Sequence, residues 1–154
     1  MLDRLARRAA AVVALIAVSA LLVATPEASH LAENPKKHKV VYQLNDPGVD
    51  KARFVLGNIQ NHIAGVGREH VEAVELVVFG PALKSFVTKD MDAAIRQALE
   101  RLQTQGLTFA ACGNTMKNFS LTLEQLPEGA KPLPQGGVVR LMELQEQGYI
   151  NIRP

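Results

Sequence analysis

Seven consecutive residues, Ala73-Val74-Glu75-Leu76-Val77-Val78-Phe79, form a β-branched and almost uninterrupted apolar run that Gly80-Pro81 stops. A run of this kind suits a strand buried on both faces, because a strand with one wet face alternates apolar with polar residues. Burial on both faces requires helices above and below a mostly parallel sheet, and the rest of the chain supplies them. Lys39 to Leu44 reads as a first strand, and Asn45-Asp46-Pro47 offers an N-cap and a proline for the start of a helix. Val49, Ala52, Val55, Leu56, Ile59 and Ile63 then recur at three- and four-residue spacing until Gly65-Val66-Gly67 ends the pattern. After the central run, a short helical piece from Ala82 to Phe86 leads to Asp90. That residue is the expected cap of a helix burying Ile95, Ala98, Leu99 and Leu102. Leu107 to Cys112 follows as a strand, and Thr115 to Phe119 as a short helix. A further strand is placed at Lys131 to Leu133, within a segment rich in proline and glycine. Gly136-Gly137 opens a last helix expected to bury Val138, Leu141, Met142 and Leu144, and Gly148 releases a final strand, Tyr149 to Ile152.

Arg4, Arg7 and Arg8 precede a charge-free apolar segment from Ala9 to Ala24, the pattern of a secretory signal. Residues 1–29 are read as the leader and residues 30–154 as one α/β domain. The apolar stretch falls short of the roughly 20 residues of a membrane span, so an uncleaved anchor would need local thinning of the bilayer. Val18-x-Ala20 and Pro26-x-Ala28 each satisfy the small-x-small rule in part, which puts the mature start between about residues 21 and 33. Arg7-Arg8 lacks the context of a twin-arginine signal. A periplasmic or otherwise exported protein is expected, with no membrane contact unless the leader is retained.

The first 29 residues hold three arginines and two acids, so the remaining chain is close to neutral. Tryptophan is absent and only two tyrosines occur, which removes the stacking platforms of single-stranded nucleic-acid binders; no nucleic-acid partner is expected. Lys36-Lys37-His38-Lys39 reads as a solvated entry to the first strand. His30, His38, His62 and His70 show no ligand spacing, and with one cysteine in the chain no metal is expected. Neither a dinucleotide fingerprint nor a phosphate-binding Gly-Lys-Ser/Thr is present, so no cofactor is expected. Ser85 and Ser120 lack a nucleophile-elbow context. Asn58 and Asn61, three apart on the first helix, suit an interface or a neighbouring loop better than a substrate.

The one cysteine, Cys112, closes the strand Leu107–Cys112 and is followed at once by Gly113-Asn114-Thr115. In open α/β sheets ligands bind outside the carboxyl ends of the strands, where a helix presents free N–H groups and a partial positive charge. Helix N-termini lower a thiol from about 8.5 into roughly the 3.5–7.5 range of reactive cysteines. A second reading makes Cys112 a small hydrophobe packed at the strand end. Asn45 and Asp46 after the first strand, Gly80 after the second, and Gly113 and Asn114 beside the thiol are the residues expected on the same rim. The Asn114 amide is a candidate donor to a thiolate or bound anion, and equally a helix cap.

Several segments, taken in order, resemble the DsrE/DsrF-like family in its small, exported, single-domain form. They are Val40-Val41-Tyr42-Gln43-Leu44, Gly57-Asn58-Ile59-Gln60-Asn61, Glu75 to Pro81, Phe109-Ala110-Ala111-Cys112-Gly113-Asn114-Thr115, Gly137-Val138-Val139 and Gly148 to Pro154. The resemblance implies a Rossmann-like three-layer α/β sandwich with a mostly parallel sheet of about five strands. It also implies assembly as a homo-oligomer, a trimer or hexamer, and a place in sulfur relay. In relay members a cysteine takes up sulfane sulfur as a persulfide and passes it on, a role that only Cys112 can fill here, with sulfur donor and acceptor proteins as partners. Relay members work in the cytoplasm, whereas this chain carries an export pattern. Independently of that likeness, one thiol suffices for sulfur transfer, and the lack of a resolving cysteine argues against a dithiol oxidoreductase. A lone thiol in an oxidising compartment is at risk of over-oxidation, which favours a Cys112 inside a pocket. Two functions therefore stand open: a persulfide carrier or sulfurtransferase acting through Cys112, and a non-enzymatic oligomeric domain that binds a ligand or partner beside a structural cysteine.

Overall fold

A computed structural model describes residues 37–154. The segment read as a leader, residues 1–29, and His30 lie outside the described residues. Five strands, β1 (His38–Leu44), β2 (Val71–Val78), β3 (Leu107–Cys112), β4 (Lys131–Leu133) and β5 (Ile150–Ile152), form one sheet in the order β4-β3-β2-β1-β5. Every pairing is parallel. Among the described residues four helices accompany them, α1 (Val49–Val66), α2 (Ala93–Thr104), α3 (Gly113–Asn118) and α4 (Gly137–Glu146), with 3-10 turns at Arg68–His70, Gly80–Phe86 and Leu123–Gln125. The protein is an α/β sandwich with helices on both sides of an all-parallel sheet.

The alternation of the strands sorts the core into two clusters. Val40, Tyr42 and Leu44 of β1, Val74, Leu76 and Val78 of β2, and Leu107, Phe109 and Ala111 of β3 face one way, against the buried residues of α1 and α2. Val41, Val77 and Ala110 face the other way with Leu133, against Leu141 and Leu144 of α4. Handedness explains the split. The chain steps from β1 to β4 in one direction across the sheet and then returns past β1 to β5, and right-handed crossovers put helices of opposite direction on opposite faces.

Several local expectations are corrected. The first helix starts at Val49 behind Gly48, whose φ of 109° only glycine adopts readily, so Asn45-Asp46-Pro47 stays outside it and Val49 is 40% exposed. Asp92, not Asp90, caps α2, accepting hydrogen bonds from the N–H groups of Ala94 and Ile95 at 3.0 and 3.1 Å. It also receives both prongs of Arg53 at 3.0 and 2.7 Å, which holds its carboxyl below the usual range and ties α1 to α2. The short helix starts at Gly113, earlier than Thr115. In α4 only Leu141 and Leu144 of the expected set are buried; Val138 is 68% and Met142 51% exposed. Val138 and Met142 are four residues apart and so share a stripe of their own, turned from the face that Leu141 and Leu144 press on the sheet. Among the described residues, no helix is long and apolar enough to cross a membrane.

Candidate functional site

The connection after β3 leaves toward the α1/α2 face, where Met116 of α3 joins the larger cluster, while the connection after β4 leads to α4 on the opposite face. Neighbouring strands whose continuations part in this way leave a crevice at their carboxyl ends. Cys112, registered opposite Leu133 of β4, stands at that point. Two glycines permit the close approach around it. A Cβ on Gly113 would stand 2.7 Å from the Leu133 carbonyl oxygen and 3.2 Å from Pro134 Cα, both backbone atoms that cannot swing away. A Cβ on Gly137 would stand 3.1 Å from Cβ of Phe79, so the first residue of α4 lies against the end of β2.

Cys112 is only 6% exposed, and that burial pushes its thiol up. The opposing pull is stronger, and the thiol sits below its ordinary value. It comes first from the Thr115 hydroxyl, then from the backbone N–H groups of Thr115, Gly137 and Asn114. No N–H of α3 makes a close capping bond to the sulfur, so these groups act together as oriented dipoles from the starts of two helices. Thr115 is itself buried, and its Oγ1 accepts the Gly80 N–H at 2.8 Å. With its oxygen engaged by Gly80, the hydroxyl has its hydrogen free to point at sulfur.

These contacts bring together four of the six residues the sequence singles out. Cys112 is the centre. Gly80 acts through its N–H on Thr115, Gly113 through its missing side chain, and Asn114 through its N–H. The Asn114 side chain is exposed and turns toward Gly136, where an added Cβ would meet its Nδ2 at 2.9 Å. Asn45 borders Gly80 by its carbonyl oxygen, 3.7 Å from an added Cβ there. Asp46 is drawn away instead: its carboxylate lies 3.6 Å from Arg153 Nη2, just beyond β5 and on the far side of β1 and β2 from Cys112. Thr115, Gly137 and Phe79 complete the site without having been singled out.

No protein-family model and no curated protein matches the chain. Solved structures do. A protein of unknown function, MTH1491, from Methanobacterium thermoautotrophicum superposes with a TM-score of 0.66 at 22% identity, over 77% of this chain and 100% of that one. The ychN protein from E. coli gives 0.60 at 17% identity, over 76% and 99%. BT1422 from Bacteroides thetaiotaomicron, a conserved protein of unknown function, gives 0.53 at 16%, over 75% and 94%. At these identities the likeness is one of fold, a Rossmann-like α/β arrangement.

Two cavities open elsewhere. A groove of about 940 Å³ runs between α2 and the loop around Leu126–Ala130, and one of about 300 Å³ lies between α1 and α2, beside Arg53, Gly57 and Arg101. Cys112 lines neither, so the expectation that the thiol lies in a pocket is not met by these two. Among the described residues no three His, Cys, Asp or Glu side chains gather as a metal site would require. His62 instead pairs with Tyr42, Nδ1 to hydroxyl 2.8 Å. Burial lowers the imidazole, with His38 adding to the effect, and raises the phenol to about 12. Asn58 turns back on its own helix, donating to the Phe54 carbonyl at 2.8 Å.

Proposed function

We propose that this protein is an exported DsrE/DsrF-like persulfide carrier or sulfurtransferase, with Cys112 as its sulfur-bearing residue. The observation that carries this reading is the place of Cys112, at the parting of β3 and β4 and at the start of α3, where the Thr115 hydroxyl and N–H groups of two helices hold its thiol low. The thiolate attacks the outer sulfur of a donor persulfide, R–S–SH. A new S–S bond forms, the donor's S–S bond breaks, and its electron pair leaves on R–S⁻, giving Cys112–S–SH. An acceptor thiolate then attacks that outer sulfur and Cys112 departs as thiolate. The same N–H groups favour the charged sulfur at the start of the first step and at the end of the second, which suits a reversible carrier. No second cysteine diverts the persulfide into an internal disulfide. Donor and acceptor are separate thiol-bearing partners.

The alternative reading, an oligomeric binding domain with a packed cysteine, is favoured by the low exposure of Cys112 and by the uncovered apolar residues of α4. Intact-mass analysis after incubation with polysulfide separates the two. A reductant-reversible gain of one or more sulfur masses, absent in Cys112→Ser, is expected for the carrier. No gain on the folded protein, when the denatured protein does react, would establish the packed cysteine.

A further inference from the structure

Glu75 is one of two buried polar or charged side chains among the described residues, 5% exposed in the middle of the central strand, and it takes no part in the chemistry above. Its carboxylate receives both prongs of Arg140 on α4, Nε to Oε1 at 2.9 Å and Nη2 to Oε2 at 2.8 Å. Such a pair is weak evidence for stability, because desolvating two charges offsets most of their attraction; its better-attested use is to fix register. The two-pronged geometry specifies direction as well as distance.

Register matters here more than elsewhere in the molecule. Among the described residues α4 is the one helix packed on the second cluster, and it presses on the sheet mainly through Leu141 and Leu144. Contacts between aliphatic side chains are non-directional and tolerate a slide or a roll. Yet Gly137, three residues before Arg140, is among the N–H groups that lower the Cys112 thiol, and it lies so close to Phe79 that an added Cβ would stand 3.1 Å from that residue's Cβ. Along β2, Phe79 is four residues or about 13 Å from Glu75, while α4 rises only about 4.5 Å from Gly137 to Arg140. The Arg140 side chain spans the remaining distance as a strut. On its outer side Glu143 lies 3.7 Å from Nη1 and is itself held by Gln135 at 3.1 Å.

Building on the thiol chemistry proposed for Cys112, we propose that Glu75 and Arg140 are positioning residues, holding the start of α4 so that the Gly137 N–H stays directed at the Cys112 sulfur.

The test is the pH profile of Cys112 alkylation by iodoacetamide, read by intact mass, for wild type, Glu75→Gln and a surface control, Glu72→Gln. Charge alone and position alone predict opposite signs. Removing the Glu75 charge while Arg140 stays positive favours the thiolate and moves the midpoint down; releasing α4 withdraws an N–H and moves it up. The expected result is an upward shift with a fall of about threefold in rate near neutral pH, half a pKa unit, and no change in the control. An unchanged or lowered midpoint in folded Glu75→Gln overturns the inference and leaves the proposed chemistry standing. A wild-type midpoint at the free-thiol value overturns both. Should Glu75→Gln fail to fold, Arg140→Lys, which keeps the charge and gives up the second prong, carries the same readout.

Discussion

Thr115 Oγ1 accepts the Gly80 N–H at 2.8 Å, which leaves the hydroxyl hydrogen free for the Cys112 sulfur, whose thiol it helps to lower. Thr115→Val keeps the shape and removes both. The half-buried Gly80 N–H then loses its partner, at a cost of about 1 kcal/mol, and the midpoint of Cys112 alkylation rises; Thr115→Ser preserves the midpoint. Denaturant unfolding and the alkylation profile measure the two effects separately. Cys112 adds a pH dependence of its own. Its thiol is lower in the folded state than in the unfolded chain, near 8.5, so the unfolded chain binds the proton more tightly through that window. Stability gained through the thiolate is complete above the unfolded value and disappears as pH falls through the folded one. The melting temperature of wild type relative to Cys112→Ser is therefore expected to increase as pH rises from about 6 to 9, and a constant difference would contradict the lowered thiol. Cys112 was legible in the sequence because a strand end running into glycine is a place, not only a residue type. Thr115 was visible as the fourth residue of Cys112-Gly113-Asn114-Thr115, on the first turn of a helix whose N-cap is Cys112, but its orientation depends on Gly80, 35 residues earlier.

At the scale of elements, the two glycines beside the site make separable demands. Alanine at either position gains helix propensity, up to about 1 kcal/mol. At Gly113 the added carbon meets a backbone carbonyl at 2.7 Å, and overpacking of this kind costs about 1–3 kcal/mol, so Gly113→Ala is expected to be destabilised on balance. At Gly137 the added carbon would stand 3.1 Å from the Phe79 Cβ and 3.3 Å from its ring, a closeness that a shift of a few tenths of an ångström relieves, so Gly137→Ala is expected to be near neutral in unfolding experiments. Equal losses in the two variants would show that the β3–β4 edge yields as easily as a phenylalanine ring. Strand positions were legible because both-face burial leaves nearly continuous apolar runs, and even the three-residue β4 was found between its prolines and glycines. The last helix opens at Gly136-Gly137 as read, but the starts of α1, α2 and α3 were misplaced, because a cap depends on which residue the turn directs at the first N–H groups: Asp90 and Asp92 both qualify in the sequence, and Arg53 of another helix engages the second. The α4 face failed for a related reason. Four apolar residues at helical spacing were assigned to one core, whereas the helix has one side on the sheet and another facing outward.

At the scale of the whole molecule, the outward side of α4 carries more exposed large apolar residues than any other helix among the described residues. Val138, Val139 and Met142 are 68%, 39% and 51% exposed on a single helix, and Ile150 of the edge strand β5 is 53% exposed. Scattered exposed apolar residues are ordinary, but a cluster on one element of an otherwise well-buried core is the usual mark of an interface. A second copy of the chain is the occupant in keeping with the homo-oligomer, a trimer or hexamer, that the family resemblance implies. Placing a charge in the middle of that stripe would oppose such packing without touching the core, since Met142 lies on the opposite side of α4 from the Leu141 and Leu144 contacts. Met142→Glu is therefore expected to lower the molar mass measured by light scattering on a sizing column, while melting of the dissociated chain stays cooperative. The same substitution links the assembly to the thiol. α4 begins at Gly137, close to the carboxyl ends of β3 and β4, so a copy covering Val138 and Val139 would also stand over Cys112. Dissociation should then quicken alkylation of Cys112 without moving its pH midpoint, because access changes while the N–H groups around the sulfur do not. A monomeric wild type at micromolar concentration would remove the interface from this account, and an oligomer unaffected by Met142→Glu would place it on another face.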